Sequence, residues 1–173
     1  LEFRRVLFRS RLNRGYISPS PQTYDEMYDD ILVPTDGSPA ATEAIDHAVS
    51  LAETYGATIH ALYVVDASAF SSIESGSELV IDALEEEGKR AVDEVVDAAE
   101  AAGVDVETHV VSGTAYRRIL DYVDSEGVDL VVMGTHGRSG VERFLLGSVT
   151  ERVVRTADVP VLTIRQKDEE EEE

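Results

Sequence analysis

Val128-Asp129-Leu130-Val131-Val132-Met133-Gly134-Thr135-His136-Gly137-Arg138-Ser139-Gly140 is the segment from which the fold class can be read. Val128 to Met133 is almost wholly apolar, without polar alternation, as in a strand of a parallel sheet covered on both faces. Glycines spaced by three follow at once. The same grammar repeats on either side. Ile31-Leu32-Val33 is a short apolar run that stops at Pro34, Thr58 to Val65 and Val104 to Val111 read as further strands, and Val159 to Arg165 reads as the last.

Each pair of strands is separated by helical periodicity. Ser38-Pro39 reads as an N-cap with proline at the first helical position. Ala41, Ala44, Ile45, Ala48, Leu51, Ala52 and Tyr55 then recur at helical spacing until Gly56. A polar stretch from Ser68 to Ser77 precedes a helix from about Glu78 to Ala102, which Gly103 ends. Ile119, Leu120 and Val123 mark a third helix closed by Gly127, and a fourth spans Ser148 to Thr156. Five strands alternating with four helices predict an α/β sandwich of βαβ units with right-handed crossovers. In such sheets ligands sit beyond the carboxyl ends of the strands, so the loops after Val33, Val65, Val111 and Met133 are the ones to inspect.

The chain has 173 residues, enough for one domain, with 35 Asp+Glu against 15 Lys+Arg and a formal net charge of −20. So acidic a surface repels phosphate backbones and argues against nucleic acid as a partner. There is no cysteine, which excludes disulfides, zinc-thiolate sites and thiol nucleophiles. No apolar run approaches the ~18 residues that a membrane-spanning helix needs, so a cytoplasmic protein with no membrane contact is expected. Residues 27–167 hold 26 acids against 10 bases, a surface suited to concentrated salt, where self-repulsion is screened.

The ends depart from the average. Arg4, Arg5, Arg9, Arg11 and Arg14 crowd the first 14 positions, while Asp168 and Glu169 to Glu173 form a self-repelling acidic tail. Leu1 to Ser10, LEFRRVLFRS, resembles the translation of a sequencing adapter. Residues 1–26 are therefore expected to be a non-native or disordered leader, 27–167 the folded domain beginning at Met27, and 168–173 a disordered tail.

The glycine loop carries the chemistry. Gly134, Gly137 and Gly140 let the backbone approach a ligand closely, and successive amides there can form an anion-holding concavity. Gly147-Ser148 opens a helix whose N-terminus favours phosphate, and Arg138 and Arg143 add positive charge. It is neither a Walker A loop nor a dinucleotide fingerprint. Plain turn chemistry accounts for the glycines as well, and Ser148 with Glu151 has the form of a capping box that needs no ligand. On the residues alone both readings stay open.

Gly134, Gly137, Gly147 and Ser148, in the spacing G-x2-G-x9-G-S, resemble the nucleotide-binding signature of the universal stress protein family. Ile31-Leu32-Val33-Pro34-Thr35-Asp36-Gly37-Ser38 resembles that family's first strand and loop, and Val159-Pro160-Val161-Leu162-Thr163-Ile164 its last strand. The resemblance runs from Met27 to Arg165. It implies a three-layer sandwich around a five-stranded parallel sheet of order 3-2-1-4-5, with ATP and Mg²⁺ between the first and fourth strands. Position by position, it implies that Asp36 with Pro34 and Thr35 holds the adenosine and that Val64 packs on the adenine. Met133 and Gly134 would line the floor. Gly137, Arg138, Ser139, Gly147 and Ser148 would face the phosphates, with Val149 following in its expected place. It also implies a homodimer paired through Val161 to Ile164, an edge that would otherwise invite strand addition.

The expected function is a stress-response protein that binds ATP as a nucleotide-dependent switch. No catalytic base and no assured arginine finger accompany the loop, so hydrolysis is expected to be slow or absent. The alternative is a dimeric interaction module of the same fold that binds no nucleotide. Asp36 reads as a ribose contact or as a turn former before Gly37. Glu151, near the helix start, is expected to compete with phosphate and weaken binding. His136, inside the glycine loop, reads as a surface loop residue in preference to a phosphate contact, and His47, His60 and His109 are scattered along the chain without metal-ligand spacing, so no metal site is expected.

Overall fold

β1 (Asp30–Pro34) lies in the middle of the sheet, and the chain winds outward from it twice, once in each direction. The computed structural model describes residues 27–66, 77–137 and 146–166. After β1 come α1 (Pro39–Tyr55), β2 (Thr58–Val65), α2 (Ser77–Ala102), β3 (Val106–Ser112), α3 (Ala115–Glu126), β4 (Leu130–Gly134), α4 (Ser148–Thr156) and β5 (Val161–Ile164). The five strands pair in parallel in the order β3-β2-β1-β4-β5. This is the three-layer α/β arrangement that the alternation and the resemblance imply.

The period-two alternation of each strand divides the core in two. Ile31, Val33, Ile59, Ala61, Tyr63, Val65, Leu130 and Val132 face α1 and α2, whereas Leu32, Leu62, Val131 and Met133 face α3 and α4. Ile31, Leu32 and Val33 are fully buried, each contributing roughly 1.5–3 kcal/mol relative to exposure. α1 presents Ala40, Ala41, Ala44, Ala48 and Ala52 to the sheet, and these small side chains let its backbone come close to β1 and β4.

The helix stops behave as expected. Gly56, Gly103 and Gly127 follow α1, α2 and α3 with φ of 67°, 72° and 74°, a left-handed conformation that favours glycine. Three strands are shorter at their start than the apolar runs suggest, and β4 is one of them, beginning at Leu130 rather than at the buried Val128. Val104 is buried, but its amide donates to the Ala99 carbonyl at 2.9 Å and closes the turn after α2, so β3 begins at Val106. β5 begins at Val161, after Pro160, which has no amide proton to give to a ladder. The Ser-rich stretch, apart from Ser77 at the start of α2, lies outside the described residues.

Candidate functional site

Winding reverses between β1 and β4, and their carboxyl ends lie side by side. The turn after β1 is built from short side-chain-to-backbone bonds. Thr35 donates its amide to the Leu62 carbonyl at 2.9 Å, and its Oγ1 accepts from the Gly37 amide at 3.2 Å. Asp36 Oδ1 accepts from the Ser38 amide at 3.1 Å, and Gly37 turns the chain at φ 69°. Ser38 Oγ does two jobs: it caps α1 by accepting from the Ala41 amide at 3.3 Å, and it donates to the His136 carbonyl at 3.3 Å. That second bond fastens the loop after β1 to the loop after β4.

The glycines after β4 are there for proximity rather than for dihedral freedom, since none of Gly134, Gly137 and Gly147 has a positive φ. A Cβ on Gly134 would stand 2.9 Å from the Ala40 carbonyl carbon, so this glycine lets β4 pass under the first turn of α1. A Cβ on Gly137 would stand 2.5 Å from Asp36 Oδ2, so here the two loops nearly touch. Between them, His136 Nδ1 lies 2.9 Å from Thr135 Oγ1. Its Nε2 is buried and has no hydrogen-bond partner among the described residues.

α4 is pinned against the same place. Gly147 donates its amide to the Thr135 carbonyl at 2.8 Å, and the buried Thr150 Oγ1 donates to the Gly134 carbonyl at 2.9 Å. The capping box expected from Ser148 and Glu151 does not form. Gly147, extended at φ −62° and ψ 152°, takes the N-cap place and offers no side chain, which makes Ser148 the first helical residue. The register of the box is therefore off by one. Glu151 instead pairs with Arg155 at 2.9 Å, one turn further on, and its carboxylate does not claim the first-turn amides. Glu151 remains in the first turn of α4, with its charge balanced there by Arg155.

Of the residues singled out in the sequence, Thr35, Asp36, Gly134, Gly137, Gly147 and Ser148 gather at this end of the sheet. Pro34 is buried as the last residue of β1, and Ser148 is exposed at the head of α4. Met133 is buried in the α3–α4 half of the core, and Val64 and Val149 pack partly against that cluster. Arg138 and Ser139, with Gly140 and Arg143, lie outside the described residues. Asp36 acts as the turn former through Oδ1, while Oδ2 is the atom nearest Gly137. Two anchors carry no signal in the sequence: the second bond of Ser38 and the hydroxyl of Thr150. Both depend on contacts to a distant loop, which neighbouring residues do not announce.

The histidines are not scattered in space. His60 and His109 come together with Glu107 across β2 and β3, near the amino ends of the strands and far from the glycine loop. Spacing along one chain segment cannot reveal this, because it is the pairing of two parallel strands that unites them. Among the described residues, no helix is long and apolar enough to cross a membrane.

Comparison with known proteins gives a consistent relation. Residues 27–165 match the universal stress protein family. Universal stress protein MJ0531 of Methanocaldococcus jannaschii is 40% identical over 148 residues, covering 84% of this chain and 87% of that protein. The solved structure of MJ0577, from the same organism, is 32% identical and aligns with a TM-score of 0.74 over 82% of this chain and 99% of that one. A universal stress protein solved in complex with cAMP is 26% identical, with a TM-score of 0.65, over 82% of this chain and all of that one.

Proposed function

Because the chain belongs to the universal stress protein family, we propose that it binds an adenine nucleotide, ATP with Mg²⁺, across the carboxyl ends of β1 and β4. It would then act as a nucleotide-dependent switch in a stress response. The observation that carries this reading is the head of α4. Two hydrogen bonds hold it to the carbonyls of Gly134, the last residue of β4, and of Thr135 just beyond, a residue without a side chain caps it, and Glu151 pairs with Arg155. A helix start left without a side-chain cap keeps first-turn amides for an anion, and the dipole adds roughly half a positive charge. The buried Nε2 of His136 offers a further polar atom in the same loop.

The residues present fit the group. Asp36 and Thr35 stand where a ribose would lie if the phosphates reached α4, with Pro34, Val64 and Met133 as apolar neighbours of the base. Gly137, Gly147, Ser148 and Val149, together with Arg138 and Ser139, would surround the phosphates. Mg²⁺ would be held mainly by phosphate oxygens and water, since the one three-residue ligand cluster among the described residues is at the opposite end of the strands. Bound ATP would supply the charge and the ligand-dependent contacts of the switch. In this reading Asp36 serves the ribose and no catalytic base is assigned beside the phosphates, so hydrolysis is expected to be slow or absent. The relative in complex with cAMP supports an adenylate as the ligand class.

A second reading keeps the dimer and drops the nucleotide. β5 is a sheet edge, and Leu162 on it is 37% exposed, which favours pairing with a second copy through Val161 to Ile164. One experiment separates the two readings. Purified protein is denatured, the released nucleotide is chromatographed, and the melting of nucleotide-free protein is followed with ATP and Mg²⁺. Occupancy at 100 times Kd stabilises by about 2.7 kcal/mol. Absence of both released nucleotide and stabilisation leaves the interaction module as the better account.

A further inference from the structure

His60 is a buried polar side chain, 8% exposed, on the α3 side of β2. Its Nε2 lies 2.9 Å from Asp30 Oδ1 and its Nδ1 lies 2.9 Å from the Tyr122 hydroxyl. A carboxylate can only accept, so in the neutral ring Nε2 carries the proton and donates to Asp30. Nδ1 is then left with its lone pair, which accepts from the Tyr122 hydroxyl. The parallel register sets His60 opposite Glu107 and Leu62 opposite His109, so His60, Glu107 and His109 share one face of the sheet.

The donor atoms are close and incompletely used. Glu107 Oε2 lies 4.0 Å from His60 Nδ1 and 3.8 Å from His109 Nε2, and one ligand atom from each residue lies within 4.8 Å of the other two. Neither Glu107 distance is a hydrogen bond, and His109 Nε2 is buried with no hydrogen-bond partner among the described residues. An orphaned ring nitrogen costs stability unless something binds it. The rings of His60 and His109 are held nearly parallel, 6.5 Å apart, and Tyr122 packs against both. The surroundings are anionic, with the Asp30 and Glu107 carboxylates beside the His60 ring.

We propose that His60 Nδ1, Glu107 and His109 Nε2 form a site for Zn²⁺ at the β2–β3 corner of the sheet, remote from the nucleotide loops. Two imidazoles and a carboxylate match the ligand preference of zinc, whose bonds of about 2.0–2.2 Å put tetrahedral ligand atoms roughly 3.3 Å apart. The donors must therefore draw in by about an ångström or less on average. Glu107, at 63% exposed, and His109, at 35%, have room to do so. The ion would replace the Tyr122 hydrogen bond to Nδ1. Asp30 would orient His60 through Nε2–H, the carboxylate–histidine–metal arrangement that fixes tautomer and ring angle. The fourth position is left to water or to the Tyr122 oxygen.

The test uses the full chain and Co²⁺ as the spectroscopic probe for Zn²⁺. Titration should bring up the intense visible bands of four-coordinate cobalt, saturating at one ion per chain and bleached by added Zn²⁺. The bands should vanish in His109→Ala and in Glu107→Gln, two partly exposed positions whose circular dichroism should match the wild type. Excess Mg²⁺ should leave the wild-type bands intact, because the acidic surface binds hard cations through oxygen alone. Absence of the bands, or their persistence in His109→Ala, overturns the site.

Discussion

Gly134 and Gly137 look interchangeable in the sequence, yet their missing side chains make room for different things. Across from Gly134 lies the backbone of α1, where the Ala41 amide nitrogen would be 3.0 Å from an added Cβ, and backbone cannot step aside. Gly134→Ala is therefore expected to cost about 1–3 kcal/mol in urea unfolding, as overpacking does. Across from Gly137 lies only the end of the Asp36 side chain, which can rotate. Gly137→Ala should change stability by less than about 0.5 kcal/mol while weakening nucleotide binding, read by thermal shift with and without ATP. Equal destabilisation by both would show that Gly137 is also a packing glycine. The spacing of these glycines is visible in the sequence, but the reason for each is not, because it depends on which atoms approach from another element. Ser38 is similar: its capping role is local and legible, whereas its bond to the His136 carbonyl joins residues 98 positions apart.

α2 carries a glycine where a helix would favour alanine. A Cβ on Gly88 would lie 2.6 Å from Tyr63 Cδ1, and Tyr63 is buried in β2 beneath the helix. Gly88→Ala gains about 1 kcal/mol of helix propensity but forces the ring aside at a cost of about 1–3 kcal/mol. A lower melting temperature is expected, partly restored when Tyr63→Leu is added, since residues in contact couple. A rise in melting temperature for Gly88→Ala alone would mean that the ring yields freely. The strands and helices themselves are readable, because unbroken apolar runs mark two-sided burial and glycines mark the helix ends. The differences fall at boundaries. Val104 has the apolar, buried character of a strand residue, although its amide closes a helix. Ser148 and Glu151 have the letters of a capping box but stand one residue out of register with the actual cap, Gly147.

The order of the five strands is not contained in their periodicity; it comes with the resemblance, and the structure has that order. Such winding leaves β5 as one edge, with an exposed Leu162 between the partly buried Val161 and Thr163. If two copies pair there, Leu162→Arg places like charges across a two-fold axis. Analytical ultracentrifugation should then turn a wild-type dimer into a monomer with unchanged secondary structure; a wild-type monomer would remove the dimer proposal. The net charge of −20 makes such self-association depend on salt, so the measurement belongs at high ionic strength. The reversal of winding between β1 and β4 also fixes where a ligand can sit, and the central claim is that an adenylate sits there with its phosphates at the head of α4. Isothermal titration of ATP with Mg²⁺ into nucleotide-free wild type and Gly137→Val tests it most directly. Saturable binding of one ATP per wild-type chain, lost in a valine variant that melts at the wild-type temperature, is the predicted result. No heat from the wild type at millimolar ATP, or equal affinity in the variant, would contradict it.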